Sequence, residues 1–588
     1  MNSTWYPTNA LDATAFSLVY GLPLLSWLGV AVPLLTVVGT NAVYSQHELL
    51  NATFTAVVSP NEDTLYQDIL VDLSRNDLVI TAPNVTDDRF WALSFSDPYG
   101  NNFANIGSVT RSPPGRYLVR RADAEPSVQM CNSTSEFRGI INAPTTYSLL
   151  DGRIYVKANT SQDLQVVHGY QRELTATLLN RTASPDVGTY APELSLGLLA
   201  VNGTFHSAAE RNLELLARLA PYNQPVVQSD RWRVASVLGA SGIYGGHYHP
   251  QPTVSVTDAQ HRANSTIKSA SLDSSSYVNF GGGWYADALE IAGDFGTDYA
   301  YRAFSATEFY PELVPSQALY PRSRLYYNMG FALPAGQSLL FTFSDIPPVN
   351  TDGFWSLTVY SEKFALVPNA LGRYEIGTRQ NLTYEDGTPD VRDATGNGSS
   401  DATRPFQVLL QAADEVPPSN WSANWLPTMA GGGGLNFNLR FYDPTPALTN
   451  DKVEQTIVDE KQGGDHTKQG YNVDRMEGAA TEQLNARPSD DPKDPLNWPL
   501  GLKIACLLQA SLLGALGGLN TAIINPAYIP MANELGITTV HASYQTTIVI
   551  ALKGLGPFIW LPLANVYGCR PMYLFCTLLG FGTALGSA

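Results

Sequence analysis

Carboxylates, amides and aromatic rings gather at a few places in this 588-residue chain, and that combination suits recognition of a small polar or sugar-like ligand. Asn61, Glu62, Asp63 and Tyr66 form one group, and Asp97, Tyr99, Asn101 and Asn102 follow a strand-like run. Trp355 lies in a later run of the same kind, with Asn369, Arg373 and Tyr374 beyond it. A carboxylate moves a proton or accepts from a hydroxyl, an amide both donates and accepts, and an aromatic face stacks. The candidate binding residues are therefore Asn61, Asp63, Tyr66, Asp97, Tyr99, Asn102, Trp355, Asn369 and Arg373. The competing expectation is structural: Asn and Asp at strand ends cap turns, and Arg373 pairs with a structural carboxylate.

Other chemistry finds less support. The sequence holds no G-x-S-x-G, H-E-x-x-H or G-x-x-x-x-G-K-[ST] motif and no paired C-x-x-C, so no reaction is assigned and enzyme and binding protein both stay open. His247 and His249, in GGHYHP, put two imidazoles on one side of an extended segment. No third ligand is evident there, so an exposed polar loop is expected, with no metal and no cofactor. Cys131 is alone in the first 500 residues, and no disulfide framework is expected.

The elements that must position these residues are mainly strands. DILVDLS, DLVIT, RFWALSFSD and RYLVRR alternate or run apolar between Asn, Asp, Gly and Pro breaks. LQVVHGYQRELTATLL and HSAAERNLELLARLA carry apolar residues at helical spacing and are expected to pack between two sheets. Strands return with LLFTFSD, FWSLTVYS and LNFNLRFYDP. The expected fold is mainly β with α: two antiparallel β-sandwich domains with intervening helices, a disordered linker, then about three transmembrane helices. The expected boundaries are 11–160 for the first β domain, 161–325 for a helical and irregular region, 326–446 for the second β-sandwich, 447–498 for the linker and 499–588 for the apolar tail. The linker is rich in Asp, Glu, Lys, Gln and Gly and too poor in apolar side chains to fold. Ser17 to Val38 is also apolar and long enough to span a bilayer, but Pro23 and Pro33 favour a broken core segment over an anchor.

A net charge of −18 with no basic stripe speaks against nucleic acid as a partner. The oligomeric state is not legible. Eleven N-x-S/T sequons occur, at Asn2, Asn51, Asn84, Asn132, Asn159, Asn180, Asn202, Asn264, Asn381, Asn397 and Asn420, and none follows. Such crowding is expected of a chain that passes through a secretory lumen, although no Lys or Arg precedes Arg75 to mark a signal peptide. The alternative is a polar Ser/Thr-rich surface without glycans.

PNEDTLY at 60–66, DPYGNNFANIGS at 97–108 and APTTYSLLDGR at 143–153 resemble a family catalogued as domain of unknown function 1254. IPPVNTDGFWSLTVYS at 346–361, VPNALGRYEIG at 367–377 and LRFYDP at 439–444 resemble its usual partner, domain of unknown function 1214. The resemblance implies paired β-sandwich domains with helices between them and implies no reaction. The tail, with PSDDPKDPLNWP at 488–499 and a PLANVYGCRP loop at 562–571, resembles the fungal drug:proton-antiporter branch of the major facilitator superfamily. Asn565 and Cys569 stand where that loop has an acidic residue and an Arg, which weakens the charge relay the resemblance implies. The tail covers only about a hundred residues of a larger fold and is expected to place the chain at a membrane without transporting anything. That superfamily keeps its N-terminus cytosolic, whereas the sequons ask for a luminal body. The expected resolution is two adjacent genes read as one frame. The body is then an extracytoplasmic small-molecule-binding protein or enzyme; the alternatives are a non-catalytic structural module and a membrane transport protein.

Overall fold

The computed structural model describes residues 7–53, 59–122, 126–181, 191–201, 207–281, 284–323, 331–343, 345–384, 405–449 and 457–464. The apolar tail, the transmembrane helices expected in it and the sequons at Asn2, Asn202 and Asn397 lie outside the described residues.

The chain opens with α1 (Ala10–Gly21) and α2 (Pro23–Val37). Asn9 caps α1 by accepting from the Asp12 N–H at 2.9 Å, and Pro23 sits at the start of α2, where its missing N–H is not needed. The apolar run from Ser17 to Val38 is thus divided at Leu22. Ala10–Val37 is long and apolar enough to cross a membrane, yet half of its most apolar window is buried inside the protein, including Leu18, Leu24 and Trp27. That burial supports a core role.

Ten strands follow: β1 (Val43–Ser45), β2 (Thr64–Asp72), β3 (Asn76–Ala82), β4 (Trp91–Ser96), β5 (Asn102–Gly107), β6 (Gly115–Arg121), β7 (Ser127–Met130), β8 (Gly139–Ala143), β9 (Tyr147–Tyr155) and β10 (Thr175–Asn180). They form two five-stranded sheets, β1-β2-β9-β4-β5 and β10-β3-β6-β8-β7. Leu65, Ile69, Leu93 and Ile154 from the first meet Leu78, Ile80, Tyr117 and Val119 from the second in one dry core. The pairing is antiparallel except between β6 and β8. Between β9 and β10 runs α3 (Ser161–Glu173), capped by Thr160. The helical spacing expected through residue 179 therefore ends early. Thr175 and Thr177 are β-branched, and TATLLN completes the edge of the second sheet by pairing with β3 over six residues, a tertiary gain that outweighs local propensity.

Five further helices form a separate layer: α4 (Leu196–Leu199), α5 (Ala208–Leu219), α6 (Arg231–Ala240), α7 (Val256–Ser271) and α8 (Tyr299–Glu308). A capping box of Ser207 and Glu210 starts α5. These helices do not lie between the two sheets of the first sandwich; α8 instead meets Tyr277 of the sheet that follows on its other side. With α1 and α2 they bury Leu213, Leu216 and Ala303 against Leu70, Tyr147 and Leu149, which stand on the outer face of the first sheet.

Beyond them lie a small hairpin, β11 (Ile243–Tyr244) with β12 (His247–Tyr248), and a three-stranded sheet of β13 (Tyr277–Gly281), β14 (Trp284–Asp287) and β16 (Arg322–Ser323), with β15 (Ala318–Leu319) threaded between the last two in sequence. The region expected as helical and irregular therefore contributes strands to three further sheets. The second β body consists of β17 (Phe331–Leu333), β18 (Gln337–Phe343), β19 (Val349–Ser361), β20 (Glu375–Gly377), β21 (Phe406–Ala412), β22 (Trp425–Thr428), β23 (Gly433–Pro444) and β24 (Ile457–Gly464). Its sheets run β15-β23-β19-β20, with β17 also on β23, and β22-β21-β18-β24, and one core of Leu357, Phe437 and Leu439 with Phe341, Val408 and Leu410 lies between them. The pair β21 and β22 is parallel. Part of the expected linker is ordered: β24 pairs with β18 from Gln337 to Phe343, backbone hydrogen bonding that needs no apolar side chains. Linker residues 450–456 and 465–498 lie outside the described residues.

Candidate functional site

Strand alternation sends Leu65, Ile69 and Val71 of β2 into the core and leaves Tyr66 and Asp68 on the outer face. Register then assembles a row. Asp68 faces Asp151 on β9, Asp151 faces Ser94 on β4, and Ser94 faces Asn105 on β5. Four polar side chains thus lie abreast across four strands, with direct neighbours about 4.5–5.5 Å apart at Cβ.

The row sits between two coverings. On one side Leu70 and Leu149 disappear under the helical layer. On the other, Ala92 and Tyr155 meet Phe354 and Tyr442 of the second body, with Tyr155 and Phe354 stacked at 4.0 Å and Phe354 and Tyr442 at 4.4 Å. The crossing segment at 293–314 is tied to the end of β5: the Asn102 N–H donates to Gly293 O at 2.7 Å and the Val314 N–H to Asn102 Oδ1 at 3.3 Å. Gly293 has φ +69°, and a Cβ there would lie 2.6 Å from the Leu313 carbonyl carbon, so only glycine permits this approach.

Polar atoms in the row are left without partners. Asp151 Oδ1, Ser94 Oγ and Asn105 Oδ1 are buried and make no hydrogen bond among the described residues. The half-buried Asp68 carboxyl has none either. Several orphan atoms abreast in one register row mark a position for a guest, either water or ligand, because each would otherwise cost about 1–3 kcal/mol. Burial pushes the Asp68 pKa well up, the Asp151 charge pushes it further, and Arg153 pulls partly back. The shift is toward the protonated form, in which Asp68 would carry an O–H donor beside Asp151. Arg153 closes the row: it donates to Asp151 Oδ2 at 2.6 and 3.0 Å, reaches the Tyr442 hydroxyl at 3.2 Å and lies over the Tyr66 ring at 5.2 Å.

A second polar cluster lies deeper, where the two β bodies meet. Arg379 donates to Glu375 Oε1 at 2.9 Å and Glu62 Oε2 at 3.4 Å and to the Asp63 carbonyl at 3.1 Å. Ser356 Oγ donates to Asp63 Oδ2 at 2.6 Å, and Arg440 reaches Thr358 and Tyr360. All three carboxylates are buried. Burial raises the Glu375 pKa to about 7 against the pull of Arg379, and it raises that of Glu62 well above the ordinary value.

The residues expected from sequence separate accordingly. Asn61 and Asp63 join this deep cluster, Asn61 donating to the Tyr442 hydroxyl at 3.0 Å, and Tyr66 borders the polar row. Asn102 fastens the crossing segment at the row's end. Asp97 accepts from the N–H groups of Tyr99 and Asn101 at 2.9 Å and so caps its turn. Tyr99 is buried beneath Arg302 and Tyr20, and Trp355 packs on Phe343 and Phe406 in the second core. Asn369 caps a turn through the N–H groups of Leu371 and Arg373, while Arg373 donates to the carbonyls of Ser422 and Trp425, with no carboxylate partner among its hydrogen bonds. His247 bonds Glu214 at 3.0 Å and His249 stacks on Tyr244. Sequence reasoning missed Asp68, Ser94, Asn105, Asp151, Arg153, Glu375, Arg379 and Arg440. One signal was present: Asp68 is a charge in the middle of a strand-like run, TLYQDILVD. An open depression of about 450 Å³ lies elsewhere, lined by Asp12, His261, Arg262, Ser265 and Thr266, and the Asp12–Arg262 ion pair occupies it.

Comparison with known proteins matches this organisation. Residues 40–178 match the family described as Protein of unknown function (DUF1254), and residues 328–446 match Protein of unknown function (DUF1214). The crystal structure of the VPA0106 protein from Vibrio parahaemolyticus is similar over 76% of this chain and 99% of its own, at 14% identity and a TM-score of 0.50, a likeness of fold alone. The MFS-type transporper mpsC of Macrophomina phaseolina (strain MS6) is 29% identical over 100 residues, 17% of this chain and 20% of its own length. The cycloheximide resistance protein of Candida maltosa is 25% identical over 154 residues, 22% of this chain and 28% of its own. The chain spans 20% to 28% of the length of these curated relatives. It carries, in order, a DUF1254 domain and a DUF1214 domain, together with a C-terminal segment partly similar to MFS transporters.

Proposed function

We propose that the body of this protein binds a small, neutral, hydroxyl- or amide-bearing ligand on the row Asp68, Asp151, Ser94 and Asn105, and that the apolar C-terminal segments hold it at a membrane. The observation that carries the reading is the set of three buried orphan atoms in one register row beside the partnerless Asp68 carboxyl. A protonated Asp68 donates, Asp151 Oδ1 and Asn105 Oδ1 accept, and Ser94 does either, so the complement is a molecule with alternating donors and acceptors. Its neutrality follows from Arg153, whose charge Asp151 already meets. A carboxyl and a carboxylate side by side are also the parts of a general acid and base, so a hydrolytic or isomerising enzyme on such a ligand is the catalytic form of this reading. Membrane attachment draws support from the three apolar stretches of the tail and its partial similarity to transporters.

A thermal-shift screen of the full chain with neutral sugars, polyols and small amides tests it. A binder should raise the midpoint, and Asp68→Asn and Ser94→Ala should each abolish the shift while changing unliganded stability by less than about 1 kcal/mol. No shift with any of these classes, or a shift that survives both substitutions, overturns the reading. The non-catalytic structural alternative is favoured by one observation, the buried ion-pair network of Glu62, Asp63, Glu375 and Arg379 between the β bodies, and it predicts that outcome.

A further inference from the structure

The sequons and the sheet edges coincide. All eight sequon asparagines among the described residues are exposed, whereas the buried asparagines, such as Asn61, Asn102, Asn223 and Asn424, all lie outside sequons. Asn180 is the last residue of β10 and Asn132 follows two residues after β7, and these strands are the two open edges of the sheet β10-β3-β6-β8-β7. Those edges also expose apolar side chains: Leu178 is 58% exposed on β10 and Met130 52% on β7. An open edge with apolar side chains is a template for pairing with another chain, and natural proteins cover such edges. Among the described residues nothing else pairs with either strand. In the second body, Asn381 follows the edge strand β20 and Asn420 precedes the edge strand β22.

The local geometry suits modification. Thr134 Oγ1 donates to Asn132 Oδ1 at 3.1 Å, so the hydroxyl required by the sequon already lies against the side-chain amide. Arg181 anchors the end of β10 through Asp77 at 3.0 Å and the Leu73 carbonyl at 2.6 Å, which holds Asn180 at the rim.

We propose that Asn132 and Asn180 carry N-linked glycans that cover the two open edges of this sheet and keep it from pairing with a second copy. In the transfer, the carboxamide nitrogen attacks the anomeric carbon of a lipid-diphosphate-linked oligosaccharide. The new C–N bond replaces the C–O bond, the lipid diphosphate leaves with its electron pair, and the amide proton passes to base. This inference does not depend on the ligand-binding reading.

The test uses the full chain made in a yeast host and extracted in mild detergent. Peptide mass spectrometry should find Asn132 and Asn180 glycosylated, and endoglycosidase treatment of the folded protein should convert a monodisperse sample into larger species by light scattering. The double variant Asn132→Gln/Asn180→Gln should associate in the same way, and so should Thr134→Ala/Thr182→Ala, which keeps both asparagines. Asn159→Gln/Asn264→Gln, away from the edges, should remain monodisperse. Unmodified peptides at both positions overturn the proposal, as does a deglycosylated protein that stays monodisperse, or control variants that associate equally.

Discussion

Substituting Glu375 tests the seam between the two β bodies. This carboxyl is 1% exposed, its Oε2 has no hydrogen-bond partner among the described residues, and its pKa is raised from 4.5 to about 7, burial acting first and Arg379 and Asp63 pulling in opposite directions. An acid whose folded-state pKa is raised contributes fully below its unfolded pKa, and that contribution is lost as pH rises through the folded value. A shift of about 2.5 units at about 1.4 kcal/mol each gives a loss of about 3 kcal/mol between pH 4.5 and pH 8. Glu375→Gln keeps the shape and the Arg379 contact but cannot ionise. Denaturant unfolding of the full chain, followed by tryptophan fluorescence, should show the parent losing stability relative to the variant across this window, the difference curve falling by about 3 kcal/mol, mostly between pH 4.5 and pH 7, and levelling off above. Glu62 also has a raised pKa, to which the Glu375 charge contributes, so the difference curve reports Glu375 together with its effect on Glu62. A flat difference curve, or one that rises with pH, refutes the reasoning.

Two other outcomes follow from the same contacts. Arg153→Met leaves the buried Asp151 carboxylate without its partner and should lower stability by about 3–5 kcal/mol, whereas Arg373→Ala removes only carbonyl contacts at a turn and should cost about 1 kcal/mol; paired denaturant melts check the ranking. Deleting residues 457–464 bares the β18 edge, so hydrogen exchange at amides 337–343 should accelerate while the amides of β2 and β9 keep their protection.

Much of the architecture is legible in the chain because its causes are local. Period-two runs such as DILVDLS and FWSLTVYS become β2 and part of β19, and the 3.6-residue spacing of AAERNLELLARL becomes α5, since the alternation of side chains on one element needs no knowledge of its neighbours. The turn-capping expected of Asp97 and Asn369 is of the same kind, its partners lying within four residues. Where the outcome depended on a distant partner, sequence reasoning ran out. The segment TATLLN became a strand because β3 had an open edge about a hundred residues earlier, and part of the polar segment after residue 446 became β24 because β18 offered backbone groups. The polar row is the clearest case. Asp68, Ser94, Asn105 and Asp151 come from four strands, and only the pairing register of β2, β9, β4 and β5 brings them abreast; a slip of one residue would turn any one of them into the dry core. Whether Trp355 faces ligand or core is likewise a question of which sheet covers it, and Phe343 and Phe406 supply that cover.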